Sequence, residues 1–146
     1  MCNQCDYPHM LKRSGAGYTP NRLRVLEVIG NNNYPLSARE IHETLVRSRA
    51  INRVTVYRIL DRLVAKGLVD QISGGGREVF YGLAPNDHHQ PHPHFYCKSC
   101  GSMECLDPQS LSLDAGGLQQ TFVGRIENVE VRVDGICKRC LRAGSR

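Results

Sequence analysis

Apolar residues recur at helical spacing through the first half of the chain, and this periodicity predicts three helices in succession. Thr19-Pro20 opens the first of them, with Thr as cap and Pro in the first turn; Leu23, Val25, Leu26 and Ile29 form its apolar side. Gly30 and the run Asn31–Asn33 stop it. Ser37-Ala-Arg-Glu40 then reads as a capping box, in which the Ser hydroxyl and the Glu carboxylate satisfy each other's free amides. Ala38, Ile41 and Leu45 carry this second helix to about Ser48. The third runs from about Asn52 to Lys66 and ends at Gly67. Val56, Ile59, Leu60 and Leu63 cluster on one side of it, while Thr55, Arg58 and Arg62 project on another. Ahead of all three, residues 1–17 are poorly patterned, with a short helix over Tyr7–Arg13 ended by Gly15 and Gly17.

Strand-like runs follow at once. Leu68–Ser73, the turn Gly74-Gly-Gly76 and Arg77–Leu83 predict a β-hairpin. Three helices and a hairpin make a winged helix-turn-helix, whose third helix can enter a major groove. Farther on, Phe95–Cys97 and Ser102–Leu106 read as strands, Pro108–Phe122 as a helix weakened by Gly116-Gly117, and Arg125–Val133 as an alternating strand. The fold class is α+β: an N-terminal winged helix over 1–83, a hinge at 84–87 where Ala84-Pro85-Asn86-Asp87 marks a change of composition, and a second domain over 88–146.

Charge sharpens this division. The net charge is +5. Residues 1–83 carry twelve Lys/Arg and seven Asp/Glu, and residues 84–146 carry seven of each, so the whole excess lies in the first half. A polyanion is the expected partner of that half, although a solvated basic face would give the same count. Tyr57 and Arg58 are the central candidates for DNA contact, with Asn52, Arg53, Thr55 and Arg62 as neighbours, Arg22 on the first helix and Arg77 on the wing, where it can touch phosphate.

The chemistry is concentrated between His88 and Cys105, in HHQPHPHFYCKSCGSMEC, which holds four of the six histidines and three of the seven cysteines. Cys97-Lys-Ser-Cys100 has a twin in Cys137-Lys-Arg-Cys140. Two such pairs can give one Zn²⁺ four thiolates in a tetrahedron; two disulfides are the alternative. No apolar leader is visible in MCNQCDYPHMLKRS and no segment has the apolar length of a membrane span, so a reducing cytoplasmic setting, and therefore metal, is expected. Cys2 and Cys5 form a third CxxC: an accessory metal site, a redox pair or a frayed tail.

Several segments together resemble the ferric uptake regulator family of bacterial metal-dependent repressors. They are Thr19-Pro-Asn-Arg22, Ser37-Ala-Arg-Glu-Ile41, Thr55-Val-Tyr-Arg58-Ile-Leu60, Gly67-Leu-Val69, the His92-x-His94-x-x-Cys97-x-x-Cys100-Gly101 block and Gly135-x-Cys137-x-x-Cys140. The resemblance spans about Gly17 to Cys140. It implies a C-terminal α/β dimerisation domain, a structural Zn²⁺ at the four cysteines, a regulatory metal at the hinge, a homodimer and a palindromic double-stranded DNA operator.

The resemblance also shows where this chain departs. His92 and His94 match two histidines of the family's hinge site. Pro35 and Gly82 stand where many members have a histidine and a carboxylate, and Cys105 stands where a further carboxylate is usual. A second, histidine-rich site found in some members would need ligands at Pro91, Pro93, Ser112 and Val129, so that site is expected to be absent. His92, His94 and Cys105 remain for sensing, joined by His88 or His89 from the hinge. Such a nitrogen and sulfur set suits Zn²⁺ better than Fe²⁺ or Mn²⁺, which favour oxygen, although Asp87, Glu104 or Asp107 can still supply one. Cys105 has two other readings, a thiol switch and a small buried residue on a strand. The expected function is a zinc-responsive repressor, with an iron- or peroxide-responsive regulator of the same family as the alternative. Metal at the hinge is expected to tie the winged helix to the dimerisation domain and select the DNA-binding geometry.

An enzyme is not expected, and neither is a small organic substrate. Glu104 beside an open zinc position would be needed for hydrolysis, yet there is no HExxH helix, and no βαβ pattern surrounds Cys2 and Cys5 for thiol–disulfide exchange.

Overall fold

The computed structural model describes residues 5–86 and 90–144. The chain packs as two compact units, Met1–Gln90 and Pro91–Arg146. No helix among the described residues is long and apolar enough to cross a membrane.

The first unit begins with α1 (Tyr7–Arg13) and α2 (Pro20–Gly30). Thr19 caps α2 by accepting from the Arg22 amide, with Pro20 in the first turn as the sequence predicts. The capping box at Ser37 and Glu40 is formed in both directions and starts α3 (Ala38–Val46). Asn52 caps α4 (Arg53–Ala65) through its side-chain oxygen, 2.7 Å from the Val54 amide. The hairpin follows as β2 (Val69–Ser73) and β3 (Val79–Leu83), paired antiparallel with Ile72 opposite Phe80. A two-residue strand, β1 (Leu36–Ser37), lies on the other side of β3. It has no sequence signature of its own because it is too short to show a period. Leu11, Val25, Leu26, Ile41, Val56, Leu60, Leu63 and Val69 are fully buried and form the core that joins the helices to the wing.

The second unit is a three-stranded sheet with β4 (His94–Cys97) at its centre. β5 (Met103–Cys105) runs antiparallel on one side and β6 (Arg132–Gly135) parallel on the other. Two sequence expectations are corrected here. The helix expected over Pro108–Phe122 is only α5 (Ala115–Gln120), because the Asp114 carboxylate caps the Gly117 amide at 2.9 Å and starts the helix late, while Asp107 holds Gln109 in a turn upstream. The strand expected over Arg125–Val133 is formed only from Arg132. The Gln119 side chain instead takes the Gly124 carbonyl at 2.6 Å and the Ile126 amide at 2.8 Å, holding that segment against α5. A last helix, α6 (Lys138–Arg142), follows the second cysteine knuckle.

Gly30 ends α2 where the Tyr7 ring of α1 crosses it, and a Cβ there would lie inside the van der Waals surface of the phenol. Glycine to alanine in a helix ordinarily stabilises by about 1 kcal/mol. Here Gly30→Ala is expected to destabilise by about 1–3 kcal/mol, as overpacked cores do. Urea unfolding followed by helical circular dichroism checks the sign, and the penalty should shrink in a Tyr7→Ala background.

Candidate metal centres and nucleic-acid interface

The four knuckle cysteines converge. The Sγ atoms of Cys97 and Cys140 are 3.8 Å apart, as are those of Cys100 and Cys137. A tetrahedral Zn²⁺ with bonds of about 2.3 Å needs sulfurs about 3.8 Å apart, whereas a disulfide needs about 2.05 Å. The donor set therefore fits zinc, and the disulfide alternative does not fit these distances. Backbone geometry builds the cradle. The Gly101 amide returns to the Cys97 carbonyl at 2.9 Å, with Gly101 at φ +76°, a left-handed conformation that glycine adopts without strain. The Cys97 sulfur accepts the Cys137 amide at 3.3 Å, linking the knuckles directly. The Cys100 thiol is drawn down to about 5, chiefly by the Ser102 hydroxyl, then by the Ser102 amide, with help from Arg139. The Cys97 thiol is also lowered, first through a hydrogen bond from the Cys100 backbone. Thiolates are the form that binds metal.

On the other face of β4 a second group assembles. One donor atom each from His92, His94 and Cys105 lies within 4.8 Å of the others. Strand geometry explains the meeting. His92 and His94 are two residues apart, so both face one side, and Cys105 is the cross-strand neighbour of His94. The imidazole centroids are 4.6 Å apart. His94 is pushed down to about 4, first by burial and then by the neighbouring His92, so it stays neutral, which is the ligating form. Burial of its sulfur pushes the Cys105 thiol up, even though the residue as a whole is exposed. On the opposite flank, Arg132 is in register with His94, and its guanidinium grips Asp134 through Nε–Oδ1 at 2.7 Å and Nη2–Oδ2 at 3.2 Å. These two groups are the ones in which three or more His, Cys, Asp or Glu converge among the described residues. His88, His89, Asp87 and Cys2 lie outside the described residues.

The basic residues of the first unit divide into two sets. Arg22 and Arg62 are engaged with the backbone, Arg62 while remaining exposed: Arg22 Nη1 donates to the Ala16 carbonyl at 3.0 Å and Arg62 Nε to the same oxygen at 2.6 Å. They clamp the loop between α1 and α2. Arg53, Arg58 and Arg77 remain exposed. Tyr57 is 47% exposed, which excludes a core role for it, and Thr55 is half-buried. Two positioning residues escaped the sequence reading. Arg24 Nη2 donates to the Leu45 and Arg49 carbonyls, each at 2.9 Å, closing the end of α3, and His42 Nε2 sits 3.0 Å from the Ile51 carbonyl. Together they fix the turn between α3 and α4. Their only sequence signal was a polar residue on an otherwise packed helix face.

Comparison with known proteins agrees with this architecture. The ferric uptake regulator family profile matches residues 13–116. The ferric uptake regulation protein of Escherichia coli strain K12 is 33% identical over 129 residues, covering 87% of this chain and 85% of that protein. The crystal structure of the Vibrio cholerae ferric uptake regulator superposes with a TM-score of 0.69 at 26% identity, covering 90% of this chain and all of that one. A zinc uptake regulator solved in complex with zinc and DNA shares the fold, with a TM-score of 0.60 at 21% identity over 94% of this chain and 92% of that one. With a family match over most of its length, the winged helix in front and the paired cysteine knuckles behind, the chain belongs to the ferric uptake regulator family.

Proposed function

We propose that this chain is a zinc-responsive transcriptional repressor that binds palindromic operator DNA as a homodimer when metal occupies His92, His94 and Cys105. The family is one of transcriptional regulators rather than enzymes. The observation that carries the reading is the convergence of two imidazoles and one thiol on a single face of β4. Two nitrogens and a sulfur form a soft set, which favours Zn²⁺ over Fe²⁺ or Mn²⁺. Bound there, the ion supplies a positive centre that holds three side chains in one arrangement. Cys97, Cys100, Cys137 and Cys140 would hold a separate structural Zn²⁺, for which their spacing is suited.

The rest of the chain supports the same reading. α4 presents Arg53, Tyr57 and Arg58 outward for DNA, with Arg77 on the wing for phosphate, while Asn52 caps the helix and Arg22 and Arg62 brace it. In the second unit Leu111, Leu113, Leu118, Phe122, Val129 and Val133 are exposed apolar side chains, of the kind a second copy would cover. Metal acts by shifting a population, so it must favour the DNA-competent state by differential affinity. The zinc uptake regulator captured with zinc and DNA lends the reading support by analogy.

The deciding experiment strips the regulatory ion with a mild chelator that spares the knuckle zinc. Binding to palindromic promoter DNA is then followed anaerobically as Zn²⁺, Fe²⁺ or Mn²⁺ is added. Zinc is expected to activate at far lower free concentration than the others. Activation by iron or manganese alone would replace this reading with the iron or peroxide sensor of the same family.

His92→Ala or His94→Ala is expected to abolish metal-dependent DNA binding while leaving the fold and the knuckle zinc intact. The affinity loss should be at least the roughly 10- to 100-fold that removal of a mere outer-shell partner costs. Metal dependence unchanged by either substitution would defeat the assignment. Cys97→Ser, Cys100→Ser, Cys137→Ser or Cys140→Ser should instead lose zinc and the folded dimer together, as read by metal analysis and light scattering; a soluble zinc-free dimer would contradict the structural role.

The pH dependence has a definite sign. His94, held near 4, is already deprotonated at neutral pH, whereas Cys105, raised above its ordinary value, must release a proton to bind. The Cys105 proton alone should therefore contribute about a tenfold rise in zinc affinity per pH unit between pH 6 and 8, with about one proton released from that thiol per ion. Calorimetry in buffers of different ionisation heat counts that proton. In Cys105→Ala the slope should flatten.

A further inference from the structure

Val54 is the second residue of α4, and packing of the fold does not account for it. The buried stripe of the helix is Val56, Ile59, Leu60 and Leu63. At about 100° per residue, Val54 points almost directly away from the middle of that stripe. Its side chain is 54% exposed. A β-branched residue on a solvated helix face loses rotamer freedom and contributes little burial, so folding alone would favour alanine or a charged residue there.

Its surroundings point to an occupant. Tyr57, one turn on, is the other large apolar side chain exposed on this helix, so the two form a contiguous apolar step. Arg53 precedes Val54 and Arg58 lies one turn beyond it; both are exposed, and neither makes an ion pair among the described residues. An apolar step bordered by guanidinium groups is complementary to a surface that is anionic overall and carries a small apolar group. The major groove of DNA is such a surface, and the one apolar group on its base edges is the C5 methyl of thymine. The first turn of a recognition helix is the part that reaches base edges.

We propose that Val54 is a specificity-determining residue that reads thymine in each operator half-site through its C5 methyl, a reading that rests on the DNA-binding function proposed above. Arg53 and Arg58 supply the cationic setting, while the choice of base at this position comes from van der Waals contact rather than from a hydrogen bond. Because the side chain is exposed, its replacement leaves the core untouched.

The test uses the zinc-loaded full chain and a pool of random-sequence duplexes. Wild type and Val54→Ala are each taken through selection, and enriched sites are resynthesised with deoxyuridine replacing thymine one position at a time, which removes only the methyl. Wild type should enrich a thymine at one position per half-site and lose about fourfold in affinity for each methyl removed there, or about 15-fold for both half-sites. Val54→Ala should fold and dimerise normally, lose the preference at that position and be indifferent to uracil there. Val54→Thr, which keeps one methyl and the shape, should retain part of the preference. The proposal is overturned if Val54→Ala selects the same thymine as strongly. Equal loss for both proteins at every uracil position would also overturn it, because Tyr57 would then be reading the methyls. Wild type enriching no sequence at all would defeat both this inference and the operator-binding reading, and is distinguished by the absence of any preference to lose.

Discussion

The pleat of β4 sends alternate side chains to opposite faces of one narrow sheet, and both candidate metal centres depend on it. His94 faces one side, where Cys105 of β5 meets it and His92 follows from two residues upstream. Phe95 and Cys97 face the other side, where Cys97 joins Cys137 and Cys140 over Ile136. Gly135, level with Cys97 on β6, lets the Phe95 ring lie close against that strand. A shift of one residue in the register of β4 would exchange the two faces and dismantle both donor sets at once. The four cysteines bring β4 and α6 together through Cys97 and Cys140, 43 residues apart, and a zinc ion held by them would keep so short a strand in register. In a unit with so few buried apolar residues, a metal staple at these cysteines would supply what a larger hydrophobic core otherwise provides.

A comparable division of labour organises the first unit. Its cations are not one undifferentiated basic face. Arg22 and Arg62 share the Ala16 carbonyl, and Arg24 closes the end of α3 on the Leu45 and Arg49 carbonyls. These are charge-assisted bonds to backbone oxygens: Arg62 ties α4 to the loop between α1 and α2, and Arg24 ties α2 to the end of α3. Arg53, Arg58 and Arg77 are left to face solvent. The net charge that marks this half as a partner of a polyanion therefore counts structural and free cations together.

The parts of this architecture that were legible in the sequence are those written in local chemistry. Thr19 and Ser37-Glu40 are caps whose side chains bond only nearby amides, and α2 and α3 begin where those caps predict; Asn52, read from the sequence only as the start of the third helix and a candidate for DNA contact, caps α4 in the same local way. The knuckle spacing is equally local, because each CxxC folds on itself. The errors came where a segment's fate is set by something distant in sequence or short in extent. The alternation through Arg125–Val133 is genuine, but a strand needs a ladder partner, and Gln119 takes up the Gly124 and Ile126 backbone groups before one is met. The Asp114 carboxylate cuts α5 short by capping Gly117, a contact with the same local form as the other caps but placed just ahead of Gly116-Gly117, where the sequence predicts a weakened helix middle and not a helix start. The grouping of Cys105 with His92 and His94 was legible only through the family resemblance, because the β-register that brings the three together is not fixed by local sequence.

In the function proposed above, Cys105 would decide how the second centre discriminates among metals. A carboxylate in its place would offer a hard, already ionised oxygen that serves Fe²⁺, Mn²⁺ and Zn²⁺ alike. A thiol offers a soft donor at the cost of a proton, and here burial makes that proton harder to remove. Only an ion that binds thiolate strongly recovers that cost, so the raised thiol acts as a filter that penalises weak thiolate binders more than zinc. His94 works in the opposite sense. Its burial beside His92 keeps it neutral and ready, at no proton cost. On that proposal selectivity would reside mainly in one residue and the capacity to bind in the other two, which is why exchanging Cys105 for aspartate would be expected to broaden the response of the site rather than silence it.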